Sequence, residues 1–398
     1  MVDRPLVSDW TADWDFYGRQ YHDDAPAVWQ ELRDACPFAR TERYGGAWVA
    51  LRYEDVVAAA HDTSTFRSFH TSLEDDYSVN KADFPPLDLN PPEHGPFRRL
   101  LLPLFGPRAV EALRPRVEEI CASLLDGLDG LDGRTEIDAA LDYARHVPMS
   151  VTATMLGVPD ADGDRFRGWV HDIVERPDRT ATVAAALREA IGYFRSLVVA
   201  RREDPGDDLI SLLAHSELDG EPLADRRITS AAVIMMLASL DTVWTTLGAA
   251  LLHLAEHPDD LRRLRDEPAL LEGAVEEFLR FYAPAELSRC VATDVDFAGH
   301  RVRAGEHLLL SFPAANRDPA AFPDADRFII DRAENRHLAF GVGIHRCIGS
   351  NVARMELAVA LRAWIHRYPH FSIDPSRPVE MTEGGGIRGP RRVPVRIG

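Results

Sequence analysis

Residues 340–349 read Phe-Gly-Val-Gly-Ile-His-Arg-Cys-Ile-Gly, the stretch of the chain with the most chemistry in it. They lead into residues 350–368, where Val352, Leu357, Leu361, Trp364 and Ile365 recur at helical spacing. Cys347 is therefore expected at or just before a helix N-terminus, where backbone amides favour the thiolate, the form that ligates metal. Gly341 and Gly343 allow turns that other residues resist and let the backbone lie flat against a large planar ligand, and Gly349 is expected to do the same beyond the sulfur. Soft sulfur framed in this way suits haem iron. Two other readings stand beside it. One is a structural thiol in a tight turn, and the other is a zinc site of His337, His345 and Cys347, which lacks a fourth ligand at the usual spacing.

A second constellation is Ala238-Ser239-Leu240-Asp241-Thr242, inside an apolar run. A helix over 228–256 would be about 43 Å long, enough to cross a domain. Burying an acid and hydroxyls there without partners costs several kcal/mol, so they need partners or a cavity. Either the hydroxyls bond back to carbonyls one turn earlier, or they form a polar notch facing a cavity. Glu277 and Arg280, three apart on a helix that Pro284 should end, share a face and can pair. His94 and Arg98, four apart, also share a face. Singly, such pairs are ordinary surface features.

The elements that must position these groups are mostly helices, with small strand patches. Helical spacing covers 108–129, and strand patterns cover 47–53 and the region 291–312, with a turn at Ala298-Gly299 and a bend at Ala304-Gly305. Residues 83–96 and 316–339 read as long irregular connections, which usually carry or cover a site. With no repeat, low-complexity tract or clear linker, the expectation is a mainly α protein with small β-sheets (α+β) in one domain, 1–398.

The formal charge of −19 argues against a nucleic-acid partner. Residues 1–10 show neither a basic region nor an apolar run, and the apolar stretch 231–254 contains Asp241. No signal peptide or membrane association is expected. Cys36, Cys121, Cys290 and Cys347 form no CxxC pair, which fits a cytoplasmic location.

The segment Phe340-x-x-Gly343-x-x-x-Cys347-x-Gly349 resembles the haem-binding signature of the cytochromes P-450, and the resemblance extends from about Trp48 to Val395. It implies the P-450 fold with a long central helix over the haem. It also implies haem b as cofactor, with Cys347 as iron ligand and Phe340, Gly341 and Gly349 in the binding loop. His94, Arg98, Arg289 and His345 match the propionate partners. Glu277 and Arg280 match the family's Glu-x-x-Arg lock, with Arg327 at the position of the third member. Asp241 matches the proton-relaying acid, and Thr242 the alcohol that hydrogen-bonds bound oxygen. Ser239 stands where the family usually has Gly. Its hydroxyl could bond the Met235 carbonyl and bend the helix, or reach the oxygen pocket.

The implied reaction inserts one atom of O2 into an organic substrate. The chain shows no flavin or dinucleotide motif, so the family resemblance implies electrons from a separate ferredoxin and reductase. Arg99, Arg108, Arg346 and Arg354 are candidates for the docking patch. Phe84, Leu237, Ala238, Ala285 and Ile387 match pocket positions and suggest a small or medium hydrophobic substrate such as a terpenoid. The Leu240-Asp241-Thr242-Val243 run, Phe371-Ser372-Ile373 and Gly385-Gly386-Ile387 are similar to the camphor-hydroxylase type. That type's substrate-anchoring tyrosine is replaced by Ala82. A monomer is expected. The same haem could instead serve peroxygenase, dehydratase or isomerase chemistry, or a non-catalytic sensor.

Overall fold

The computed structural model describes residues 6–69, 73, 84–129, 136–170, 172–173, 181–382 and 386–397. The chain begins with α1 (Arg19–Asp23), α2 (Ala25–Ala35), β1 (Phe38–Thr41), β2 (Ala47–Ala50), α3 (Tyr53–His61) and β3 (Phe66–Arg67). The helical body follows as α4 (His94–Phe105), α5 (Pro107–Asp129), β4 (Glu136–Asp138), a π-helical turn (Ala139–Ala144), α6 (His146–Leu156), α7 (Gly163–Val170), α8 (Ala181–Glu203), α9 (Leu209–Ala214), β5 (Glu217–Leu218), β6 (Glu221–Pro222) and α10 (Asp225–Glu256). Next come α11 (Pro258–Asp266), α12 (Leu271–Phe281), β7 (Leu287–Val291), β8 (Val295–Phe297), β9 (His300–Val302), β10 (His307–Leu310) and α13 (Phe312–Ala315). After an irregular stretch the chain ends in α14 (Ser350–Arg367), β11 (Phe371–Ile373), β12 (Glu380–Met381), β13 (Pro390–Arg392) and β14 (Pro394–Ile397).

The main sheet has the order β1-β2-β10-β7-β3, with β2 and β10 parallel and the other pairs antiparallel. A three-stranded sheet, β11-β14-β4, ties the C-terminus to the helical body. The strand expected over 47–53 stops at Ala50, because Tyr53 opens α3, its N–H donating to Asp318 Oδ2 at 2.9 Å. Ala298, Gly299 and Gly305 adopt the positive φ expected at the turns between strands.

α10 is the axis of the body, packing on α6, α8, α14 and β13. Among the described residues it is the one helix long and apolar enough to cross a bilayer. Here that apolarity serves the core: Leu247, Ala250, Leu251 and Leu254 are fully buried. The largest hydrophobic cluster runs from α4 through α5, α6, α10 and α12 to α14. Two smaller clusters sit under the N-terminal helices and the main sheet. The cysteine loop leads into α14, which packs with α10 in the largest cluster.

Candidate active site

Cys347 lies three residues before Ser350, the first residue of α14, and Gly349 caps that helix. The Cys347 N–H donates to Phe340 O at 2.7 Å, which closes the loop on itself. Gly341 (φ 62°) and Gly343 (φ 75°) occupy the left-handed region, so glycine is required at both for conformation. A Cβ on Gly343 would also meet Ala60 O of α3 at 2.7 Å. Gly349 is different: its φ of −79° is ordinary, and a Cβ there would lie 3.9 Å from Cys347 Sγ. It leaves room beside the sulfur rather than permitting a special turn. Arg354 lies over the Phe340 ring at 4.5 Å.

The helix terminus does not by itself produce a thiolate. Cys347 has accessible surface although protein surrounds it on most sides, and this embedding pushes the thiol pKa up. The Gly349 amide and the charges of Arg98, Arg346 and Arg354 pull it down but do not win. Desolvating an anion costs more than one amide and partly solvated cations return.

Next to the sulfur, four basic side chains converge from two elements, α4 and β7, and the loop. His94 and His345 face each other with ring centroids 4.4 Å apart, and each has a buried Nε2 without a partner. Arg289, on β7, is buried and its Nη1 reaches only the Ser288 carbonyl at 2.9 Å. Arg98, on α4, donates to Arg346 O at 2.5 Å. Burial, reinforced by Arg289, His94 and Arg98, lowers the His345 pKa to about 3. Burial alone lowers that of Arg289 to about 10. Among the described residues no carboxylate is bonded to any of the four.

Midway along α10 the burial is interrupted. Ala238 is exposed, while Leu237, Asp241 and Thr242 are half-buried between fully buried turns. Thr242 Oγ1 donates to Ala238 O at 2.9 Å. Ser239 Oγ bonds Met235 O at 2.6 Å and shares a 2.8 Å hydrogen bond with Thr152 Oγ1 on α6. Of the two roles open to Ser239, the structure shows the back-bond, extended into an interhelical tie. Asp241 Oδ1 lies 2.5 Å from Arg391 Nη1, an ionic contact without hydrogen-bond alignment. Ala285 and Ile387 meet in an antiparallel bridge. Phe84 packs on the main core from another segment, its N–H bonded to Asp88 at 2.8 Å. Ala82 and Gly385 lie outside the described residues.

A family model described as cytochrome P450 matches residues 49–392. Mycinamicin IV hydroxylase/epoxidase of Micromonospora griseorubida is 35% identical over 92% of this chain and 94% of its own. 6-Deoxyerythronolide B hydroxylase of Saccharopolyspora erythraea is 34% identical over 96% of this chain and 98% of its own. The solved structure of the cytochrome P450 from the Bacillus subtilis 168 bacillaene polyketide synthase aligns with a TM-score of 0.89 at 29% identity, covering 97% of this chain and 100% of the other. The chain belongs to the cytochrome P450 family.

This P450 has the family fold and is a monooxygenase, an oxidoreductase like its named relatives. The family binds haem through a cysteine thiolate. The residues here fit that group: two imidazole nitrogens and two arginines, without carboxylate partners among the described residues, would satisfy the two acidic side chains of a haem beside Cys347. Zinc does not fit. Among the described residues no cluster of three or more His, Cys, Asp or Glu could hold a metal ion, and His337 Nε2 is engaged by Glu276 at 3.1 Å.

Two assignments need correction. The third member of the Glu277–Arg280 lock is Arg332, whose Nε lies 3.1 Å from Glu277 Oε2, in a cluster where Glu277 and Arg280 are fully buried. Arg327 supplies only its carbonyl to Arg280, at 2.8 Å, and its side chain is 74% exposed. Arg354 is not a free docking cation, since Glu276 holds it at 2.6 and 2.8 Å. The sequence reading missed Arg391 and Thr152, whose partners on α10 lie far away along the chain.

Proposed function

We propose that this P450 is a haem-thiolate monooxygenase, one domain over 1–398, that oxidises a hydrophobic organic substrate. The observation carrying the reading is the convergence of His94, Arg98, Arg289 and His345, with no carboxylate among the described residues bonded to them, beside Cys347. Cys347 would ligate haem b, the four basic residues would hold its carboxylates, and Phe340, Gly341 and Gly349 would shape the loop around the sulfur. When bound, the haem supplies oxygen activation, so that one atom of O2 enters the substrate and the other leaves as water with two electrons and two protons.

The protein supplies position and protons. Asp241, half-buried beside the notch and 2.5 Å from Arg391, places a carboxylate there to relay protons. Thr242 keeps its hydroxyl oriented by donating to Ala238 O and presents its oxygen to the notch. Leu237, Ala238, Ala285, Ile387 and Phe84 line an apolar pocket and limit the water reaching it.

Electrons come from a ferredoxin-type donor, which Arg99, Arg108 and Arg346, all exposed, would meet. The pocket residues fit a small or medium hydrophobic substrate such as a terpenoid. The relatives named for mycinamicin IV, 6-deoxyerythronolide B and a polyketide synthase favour a polyketide-type compound over it. The acidic chain acts in the cytoplasm as a monomer, without nucleic-acid or membrane partners.

Thr242→Ala tests the reading. The variant is expected to keep its cofactor but to divert reducing equivalents to hydrogen peroxide, measured as product and peroxide formed per electron pair. Unchanged coupling would contradict it.

A further inference from the structure

The bridge between Ala285 and Ile387 is backed by a buried polar cluster that the proposed reaction does not use. Glu286 N donates to Gly386 O at 3.1 Å, and Arg388 N donates to Pro284 O at 2.8 Å, so two backbone hydrogen bonds hold the bridge. Along extended chain, neighbouring side chains point to opposite faces. Burial follows that rule: Ala285 and Leu287 are half-buried, while Glu286 and Ser288 are buried. Glu286 and Arg388 therefore lie behind the wall that Ala285 and Ile387 present to the pocket.

Behind the wall, Glu286 is 4% exposed and its carboxylate is surrounded by donors. Tyr21 Oη, on α1, lies 3.0 Å from both carboxylate oxygens, and Ser311 Oγ donates to Oε1. Trp29, on α2, donates its indole N–H to Tyr21 Oη at 2.7 Å and stacks under Arg388 at 5.8 Å. Charge-assisted hydrogen bonds of this kind are the stronger ones, and in a buried setting they fix orientation. Arg289, one of the proposed cofactor-holding cations, follows three residues later on β7.

We infer that Glu286 is a positioning residue for substrate: with Tyr21, Ser311 and Arg388 it pins the Ala285–Ile387 wall and so sets the pocket's affinity for apolar ligands too large to clear that wall. The inference rests on Ala285 and Ile387 lining the pocket, as proposed above. It gives the N-terminal helices α1 and α2, far from Cys347 in sequence, a part in substrate selection.

The cluster also gives the wall a dependence on pH. Burial raises the Glu286 pKa to about 7, against the donors Ser311 and Tyr21 and the charge of Arg388. The other charged or titratable groups nearby are His22, lowered to about 4 by burial and by Arg388, and Asp24 and Arg317, which act on Arg388. Above about pH 7 the carboxylate is charged and accepts all of its donors, and the wall is pinned. Below it, the protonated acid keeps fewer of these bonds and the wall loosens.

The test titrates the holoenzyme with 4-phenylimidazole and with imidazole, following the Soret shift from pH 6 to 9 and expressing affinity per neutral probe. Imidazole is too small to reach the wall and serves as the control. For the wild type, phenylimidazole affinity should fall as pH drops through about 7, while imidazole affinity stays level. Glu286→Gln should weaken phenylimidazole binding about tenfold at pH 8, the loss of one charge-assisted hydrogen bond, and should abolish the pH step. Tyr21→Phe should do the same in part, and it carries the test if Glu286→Gln fails to fold. A residue that only anchored the N-terminal helices would lower the melting temperature without moving the phenylimidazole-to-imidazole ratio, and that result overturns the inference. Ile387→Ala separates the two levels. If it leaves phenylimidazole binding unchanged, the pocket reading fails and the inference with it. If Ile387→Ala changes binding while Glu286→Gln and Tyr21→Phe do not, the inference alone fails.

Discussion

Arg391 reaches across from β13 to Asp241 in the middle of α10, with Nη1 2.5 Å from Oδ1 and the guanidinium 4.4 Å above the Trp244 ring. The same Nη1 donates to Thr245 Oγ1 at 3.2 Å. Asp241, Trp244 and Thr245, within about one turn of α10, therefore hold one arginine, and that arginine holds the proposed relay acid. A lone half-buried carboxylate beside an apolar pocket would be costly, and the cation lowers that cost.

The pair separates two roles. Asp241→Asn removes the proton carrier and is expected to slow product formation by at least ~100-fold. Arg391→Gln keeps the carrier but frees its orientation, and is expected to slow product formation severalfold and raise the solvent deuterium isotope effect, with cofactor loading unchanged. Wild-type rate and isotope effect in Arg391→Gln would show that the ion pair has no part in proton delivery.

Ser239 makes a prediction about stability. Its hydroxyl ties α10 to α6 through Thr152, so Ser239→Gly loses that hydrogen bond and adds a glycine inside a helix. Urea unfolding should show a loss of about 2 kcal/mol, and Thr152→Val a loss of about 1 kcal/mol. If Ser239→Gly is as stable as the wild type, the interhelical bond contributes nothing.

Arg332 and Arg327 can be told apart in the same assay. Arg332→Met leaves Glu277 buried with one of its two arginine partners gone, which should cost about 3–5 kcal/mol and leave little soluble protein. Arg327→Ala removes an exposed side chain and should change stability by less than about 0.5 kcal/mol. The reverse ranking would restore Arg327 to the lock.

What the sequence disclosed and what it hid follow from distance along the chain. The cysteine loop is legible because its geometry is local: Gly341, Gly343, Cys347 and Gly349 all lie within ten residues, and α14 announces itself by periodicity. Glu277 and Arg280 are legible as a pair for the same reason. Their third partner comes from an irregular connection where no period exists, so Arg327 and Arg332 could not be separated until Arg332 was seen beside Glu277. The long helix was visible, but Arg391 and Thr152 reach it from other elements, and no spacing encodes a contact between elements so far apart. The place of Cys347 before a helix is a sequence feature, whereas the desolvation that pushes its thiol pKa up is set by the whole fold.

The central claim is that Cys347 is the axial thiolate of a bound haem, and the absorption spectrum of the reduced protein exposed to carbon monoxide tests it most directly. The account predicts a strongly red-shifted Soret band that is lost in Cys347→Ala. A haem band without that shift, or no haem band even after reconstitution with hemin, would contradict it.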